Sequence, residues 1–135
     1  MAFPVNEEMY EPITYYFVYP QVSFVPTDVH KFLAGYRTSE LGLFDVETGA
    51  LVTLMKPSDT SATLDRLYTQ MNKVASHPHQ DLAISAHEDR TVKFWDLKSG
   101  QCVHNMIAHQ TVVSSLAIDP AGAYVLTAGI PAITI

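Results

Sequence analysis

Cysteine is nearly missing from this chain of 135 residues. Cys102 stands alone, so neither an internal disulfide nor a cysteine-cluster zinc site can form. That usage fits a reducing compartment. Basic residues are scarce too: 8 Lys and Arg face 14 Asp and Glu, for a formal net charge of −6. The imbalance is concentrated in residues 1–60, which hold eight acids and three bases, whereas residues 61–135 hold six and five. No basic stripe exists that could follow a phosphate backbone, so no nucleic-acid partner is expected. No positively charged leader is expected either, because the first base is Lys31 and Glu7, Glu8 and Glu11 precede it. The most apolar run, residues 13–26, is interrupted by Pro20 and Gln21 and is too short to span a bilayer. A soluble, cytoplasmic chain without direct membrane insertion is the expectation. The hydrophobic fraction of 47% and charged fraction of 16% suit a packed globular domain.

Two landmarks recur. Phe44-Asp45 followed by Val46-Glu47-Thr48-Gly49 is echoed 51 residues later by Trp95-Asp96 followed by Leu97-Lys98-Ser99-Gly100. Each reads as a strand, a Gly-containing turn and a second strand, over residues 50–54 and 101–106. Ser76-His77-Pro78 and Ile118-Asp119-Pro120 end two further strands 42 residues apart, and Pro26 marks the same corner one unit earlier. The surplus over 42 falls in the polar stretch 56–62, read as part of an inserted loop. Alternation at Val92 and Phe94, Leu116 and Ile118, and Leu126 and Ala128 predicts half-buried strands. Helix signals are scarce; residues 63–73 could form at most a short helical turn.

The period, together with Ser85-Ala86-His87-Glu88-Asp89-Arg90-Thr91-Val92-Lys93-Phe94-Trp95-Asp96, resembles the WD repeat. That repeat recurs about every 40–45 residues and builds one four-stranded propeller blade. The resemblance implies an all-β fold: a partial WD-repeat β-propeller of about two and a half four-stranded antiparallel blades. Residues 1–20 form an atypical aromatic-rich N-terminal segment and 21–135 the WD-repeat region. Within it lie a blade over 21–55, the inserted loop over 56–70, a blade over 71–107 and an incomplete blade over 108–135. In the family pattern a blade is locked by a His before its first strand, a Ser or Thr on the second, an Asp in the next turn and the Trp of the third. The chemistry is coherent, since indole N–H only donates, carboxylate only accepts, and hydroxyl and imidazole bridge them. The second blade supplies Ser85, Asp89 and Trp95, but the expected His position holds Leu67. The third supplies His109 and Thr127, with Pro131 where Asp belongs. Both networks are therefore expected to be incomplete, and both blades weaker than a consensus repeat.

The run from Ser76-His77-Pro78 through Ala86-His87-Glu88-Asp89-Arg90 and Val103-His104-Asn105-Met106-Ile107-Ala108-His109 to Leu116-Ala117-Ile118-Asp119-Pro120-Ala121-Gly122 is similar to the striatin family. The similarity covers about residues 22–129; residues 1–20 and 129–135 depart from it. It implies a non-catalytic protein–protein interaction scaffold in a protein phosphatase 2A regulatory or targeting complex, with phosphatase and kinase complex components as partners. The family's calmodulin-, caveolin- and coiled-coil-bearing segments are not matched by any basic amphipathic helix or heptad run here. A truncated isoform or gene-model fragment without independent function is the alternative.

Other chemistries fare worse. Six histidines, His30, His77, His79, His87, His104 and His109, invite a metal-dependent enzyme, but no His-Glu-x-x-His helix accompanies them. A hydrolase triad of Ser85, His87 and Asp89 would need a free serine, and Ser85 is expected to serve Trp95. No catalytic, cofactor or metal residue is therefore assigned, and no cofactor is expected. Glu88 and Arg90 flank an exposed turn and are candidate partner-facing residues. The aromatic cluster Tyr10, Tyr15, Tyr16, Phe17, Tyr19 and Phe24 is read as an irregular strand packing over the exposed edge of the first blade, with a binding patch as the alternative. Open blade sides and strand edges also lead to an expectation of self-association.

Overall fold

The computed structural model describes residues 21–36, 39–57, 70–129 and 133–135. The N-terminal segment 1–20, most of the inserted loop, Leu67 and Pro131 lie outside them. Every regular element described is a strand. Strands β1 (Gln21–Phe24), β2 (Lys31–Gly35), β3 (Leu41–Asp45) and β4 (Leu51–Met55) form one antiparallel sheet in sequence order. Strands β5 (Met71–Ser76), β6 (Leu82–His87), β7 (Thr91–Asp96) and β8 (Gln101–Ile107) form a second. Strands β9 (Val113–Ile118), β10 (Val125–Gly129) and β11 (Ile133–Thr134) form a third. Residues 71–73, where a helical turn was conceivable, belong to β5, since Met71 and Val74 bury against the first sheet. In the third sheet β10 is followed by the two-residue β11, with Thr127 paired to Thr134.

Each meander turns by the chemistry its sequence announces. After β3 and β7 the Asp of the repeated aromatic-Asp pair caps the turn. Asp45 accepts from the amides of Glu47 and Thr48 at 2.9 and 3.0 Å, and Asp96 from that of Lys98 at 3.1 Å. Gly100 then adopts φ +72°, which side chains with a Cβ rarely tolerate, and a register shift follows in the pairing between Phe94 and Trp95. These turn-capping bonds hold both carboxyls below their ordinary range, led by the Thr48 amide at Asp45 and the Ser99 hydroxyl at Asp96.

The three sheets stack face on face, with β1 beside β5 and β5 beside β9 along the inner side. Between the first and second sheets lie Leu33, Leu41, Leu43, Met55, Met71, Val74, Ala83 and Trp95. Between the second and third lie Ile84, Ala86, Val92, Val113 and Leu116. The second sheet is thus covered on both faces, and β6 is accordingly buried over Ala83–His87. The outer strands β4 and β8 keep most of their residues exposed.

Candidate functional site

Alternation on β6 sends Ala83, Ser85 and His87 toward the first sheet and Ile84 and Ala86 toward the third. Trp95 on β7 pairs across from Ala83 and is fully buried on the same side. Its indole Nε1 donates to Ser85 Oγ at 2.8 Å. Ser85 Oγ lies 2.6 Å from His87 Nε2, and His87 Nδ1 lies 3.2 Å from Ser39 Oγ in the loop between β2 and β3. Ser39, Ser85 and His87 are each at most 1% exposed.

The direction of the first bond follows from its members. Indole can only donate, so Ser85 oxygen accepts at that contact, and it keeps both a proton and a second lone pair for His87 Nε2. A neutral imidazole donates from one ring nitrogen and accepts at the other, so whichever tautomer it holds, His87 bridges the Ser85 and Ser39 hydroxyls. Neutrality is enforced: burial, with Lys93 nearby, pushes the His87 pKa far below its ordinary value of 6.5, and Asp89 opposes this only in part.

The missing histidine of the second blade is therefore supplied from within β6 itself, and the network extends across the interface into the first sheet. Leu67, the position where that histidine was expected, lies outside the described residues. Asp89 takes a different part from the one its position suggested. Its carboxylate accepts from the Thr91 amide at 3.2 Å and from the Thr91 hydroxyl, bracing the β6–β7 turn. The sequence signal for His87 was its place two residues after Ser85 on one strand; Ser39, in a loop, offered none. In the third sheet His109 Nε2 meets Thr127 Oγ1 at 2.9 Å, and both are buried.

The first sheet answers the same positions with two aromatics and an alanine in place of indole, imidazole and hydroxyl. Phe44 occupies the place of Trp95, Ala34 that of Ser85 and Tyr36 that of His87, judged from the pairing of Phe44 with Phe32 and of Trp95 with Ala83. Phe32 and Phe44 stack with centroids 5.2 Å apart. Burial, aided by Glu40, pushes the Tyr36 phenol up to about 12.

Ser85 and His87 do come within hydrogen-bond distance, as a nucleophile and base would. Hydrolytic chemistry is nonetheless denied to them. Both are sealed from solvent, Nδ1 faces a serine instead of a carboxylate, and an imidazole with so low a pKa is a poor base. The other histidines scatter. His77 is buried, with Nδ1 accepting from the amides of His79 and Gln80 at 3.0 Å and Nε2 2.9 Å from the Gly122 carbonyl of the third sheet. His30, His79 and His104 are exposed. Among the described residues no three His, Cys, Asp or Glu side chains gather as a metal site would require.

Above the sealed cluster, Glu88 and Arg90 stand exposed on either side of Asp89. The turn is pinned at both ends: Glu88 N–H donates to the Gln70 carbonyl at 3.0 Å, and Ala108 N–H donates to the Arg90 carbonyl at 3.1 Å. Arg90 itself holds φ +72°.

Stacked antiparallel meanders with inner strands side by side, two of whose second strands bring a hydroxyl to an indole or imidazole, define a WD-repeat β-propeller, present here as part of a ring. The WD domain, G-beta repeat family matches residues 64–96 and 100–130. Human Striatin-4 is 37% identical over 106 residues, 78% of this chain and 13% of that protein. The Striatin homolog of Dictyostelium discoideum is 36% identical over 113 residues, covering 77% and 14%, and human Striatin 37% over 107, covering 78% and 13%. Within the WD-repeat class this chain is striatin-like, and it spans 13–14% of the length of these relatives.

Proposed function

We propose that the chain acts as a non-catalytic protein-binding element of a cytoplasmic protein phosphatase 2A regulatory assembly, with the turn Glu88-Asp89-Arg90 facing its partner. The observation that carries this reading is the contrast between the turn and what lies beneath it. The polar chemistry of Ser85, His87 and Trp95 is consumed internally, while Glu88 and Arg90 project from a backbone pinned by hydrogen bonds on both sides. A charged rim held in one pose loses little freedom on docking, which is how a scaffold gains affinity from few contacts. The similarity to striatins supports the same direction, and phosphatase and associated kinase components are the partners it suggests.

Binding of the full chain to the purified phosphatase core, followed by calorimetry, tests the proposal. The double charge reversal Glu88→Lys, Arg90→Glu should weaken binding about tenfold or more at low salt and leave the circular dichroism spectrum unchanged. Absence of binding by the unaltered chain would remove the phosphatase assignment, and equal binding by both forms would remove the turn from the interface.

A further inference from the structure

Strand β8 is the longest of the described strands and an outer edge: among the described residues it pairs with β7 alone. An edge strand exposes a row of unpaired N–H and C=O groups, and natural sheets commonly guard such rows with charged side chains or proline. Over Gln101–Ile107 the chain places neither: the strand reads Gln-Cys-Val-His-Asn-Met-Ile, without Lys, Arg, Asp, Glu or Pro. Six of its seven residues are exposed, and the apolar ones are among them, Val103 at 57%, Met106 at 44% and Ile107 at 67%. The bulge opposite Trp95 takes up Cys102 and Val103, and from His104 to Ile107 the strand runs in regular register with β7. The other uncharged outer edge, β4, is shorter, and its Thr53 and Met55 pack against Gly100 of the β7–β8 turn.

The strand is its own complement. Read from either end toward Asn105, Val103-His104 and Ile107-Met106 place an aliphatic residue outermost and a less hydrophobic neighbour inside it. Set antiparallel against an identical strand about Asn105, the edge brings Val103 opposite Ile107 twice, His104 opposite Met106 twice, and the two Asn105 amides opposite each other. Aliphatic pairs of this kind stabilise neighbouring strands, a thioether sits well against an aromatic ring, and two carboxamides can exchange hydrogen bonds. No charged side chains face each other across the axis.

We propose that β8 of one copy of this chain pairs antiparallel with β8 of a second copy, centred on Asn105. Main-chain hydrogen bonds between the two edges supply the attraction and the alternating side chains fix the register. The contact is isologous, with each copy using the same strand, so it closes at two copies and leaves no β8 edge open. The inference is separate from the phosphatase reading, which rests on the turn Glu88-Asp89-Arg90.

Sedimentation velocity over a series of concentrations tests it on the full chain. Two variants at the exposed central position, Asn105→Lys and Asn105→Asp, are compared with Leu54→Lys on β4, all checked for native circular dichroism. The unaltered chain should sediment as two copies. Each Asn105 variant alone should sediment as one copy, because like charges then stand directly opposite across the axis. An equimolar mixture of the two should restore the two-copy species, since opposite charges then meet. Leu54→Lys should leave the two-copy species intact. An unaltered chain of one copy would overturn the proposal, as would a two-copy species that persists in either Asn105 variant. A mixture that stays at one copy, or dissociation by Leu54→Lys, would overturn it too, the last by moving the contact to β4.

Discussion

Trp95 illustrates how little of a side chain's role is set by hydrophobicity alone. It is fully buried among Leu33, Leu41, Met55 and Met71, yet its one polar atom starts a relay through Ser85 and His87 to Ser39. Trp95→Ala should lower stability by about 3–5 kcal/mol, the scale for deleting a buried large aromatic, and a denaturant midpoint measures it. His87 contributes a pH dependence of definite sign. Its folded pKa lies below the unfolded value of 6.5, so the folded state binds fewer protons than the unfolded one at mildly acid pH. The stability it contributes is complete above 6.5 and is lost as pH falls below it. Denaturation at neutral and mildly acid pH should show a falling midpoint for the natural chain and a flatter response for His87→Gln. The difference between the two isolates His87 from the other five histidines.

At the scale of elements, the turns were the most legible part of the sequence. The aromatic-Asp-x-x-x-Gly landmarks at 44–49 and 95–100 fall on strand ends and capped turns because the Asp and Gly act on their own local backbone. Pairings that depend on distant chain were less so. His87 was legible as a strand residue but not as the partner of Ser39, since a loop 48 residues away cannot be read from periodicity. The same holds for His77, whose ring reaches the β9–β10 turn at Gly122. That turn rests on one residue: Gly122 has φ +74°, and a Cβ there would overlap the His77 imidazole. Gly122→Ala should therefore cost more than the roughly 1–2 kcal/mol of the left-handed backbone alone. The expected result is loosening of the third sheet, read as faster amide exchange across β9 and β10 with β6 and β7 less affected.

On the scale of the molecule, the three sheets differ in support. The second has neighbours on both faces, the third on one, and the third ends in the two-residue strand β11. In stacked repeats stability is roughly a sum of intrinsic and nearest-neighbour terms, so the middle unit should open last. Native-state hydrogen exchange should find its slowest amides in β6 and β7 and its fastest strand amides in β10 and β11. The number of sheets was legible because the 42-residue spacing is a property of the chain; the direction of every face was not, because it follows from stacking. The placement of Trp95 has a last, practical consequence. It is the sole indole of the chain, walled in where the first and second sheets meet. Its ultraviolet emission is therefore a built-in optical gauge of that one seam: short-wavelength light while the seam is shut, a red shift when it parts, and silence about the third sheet.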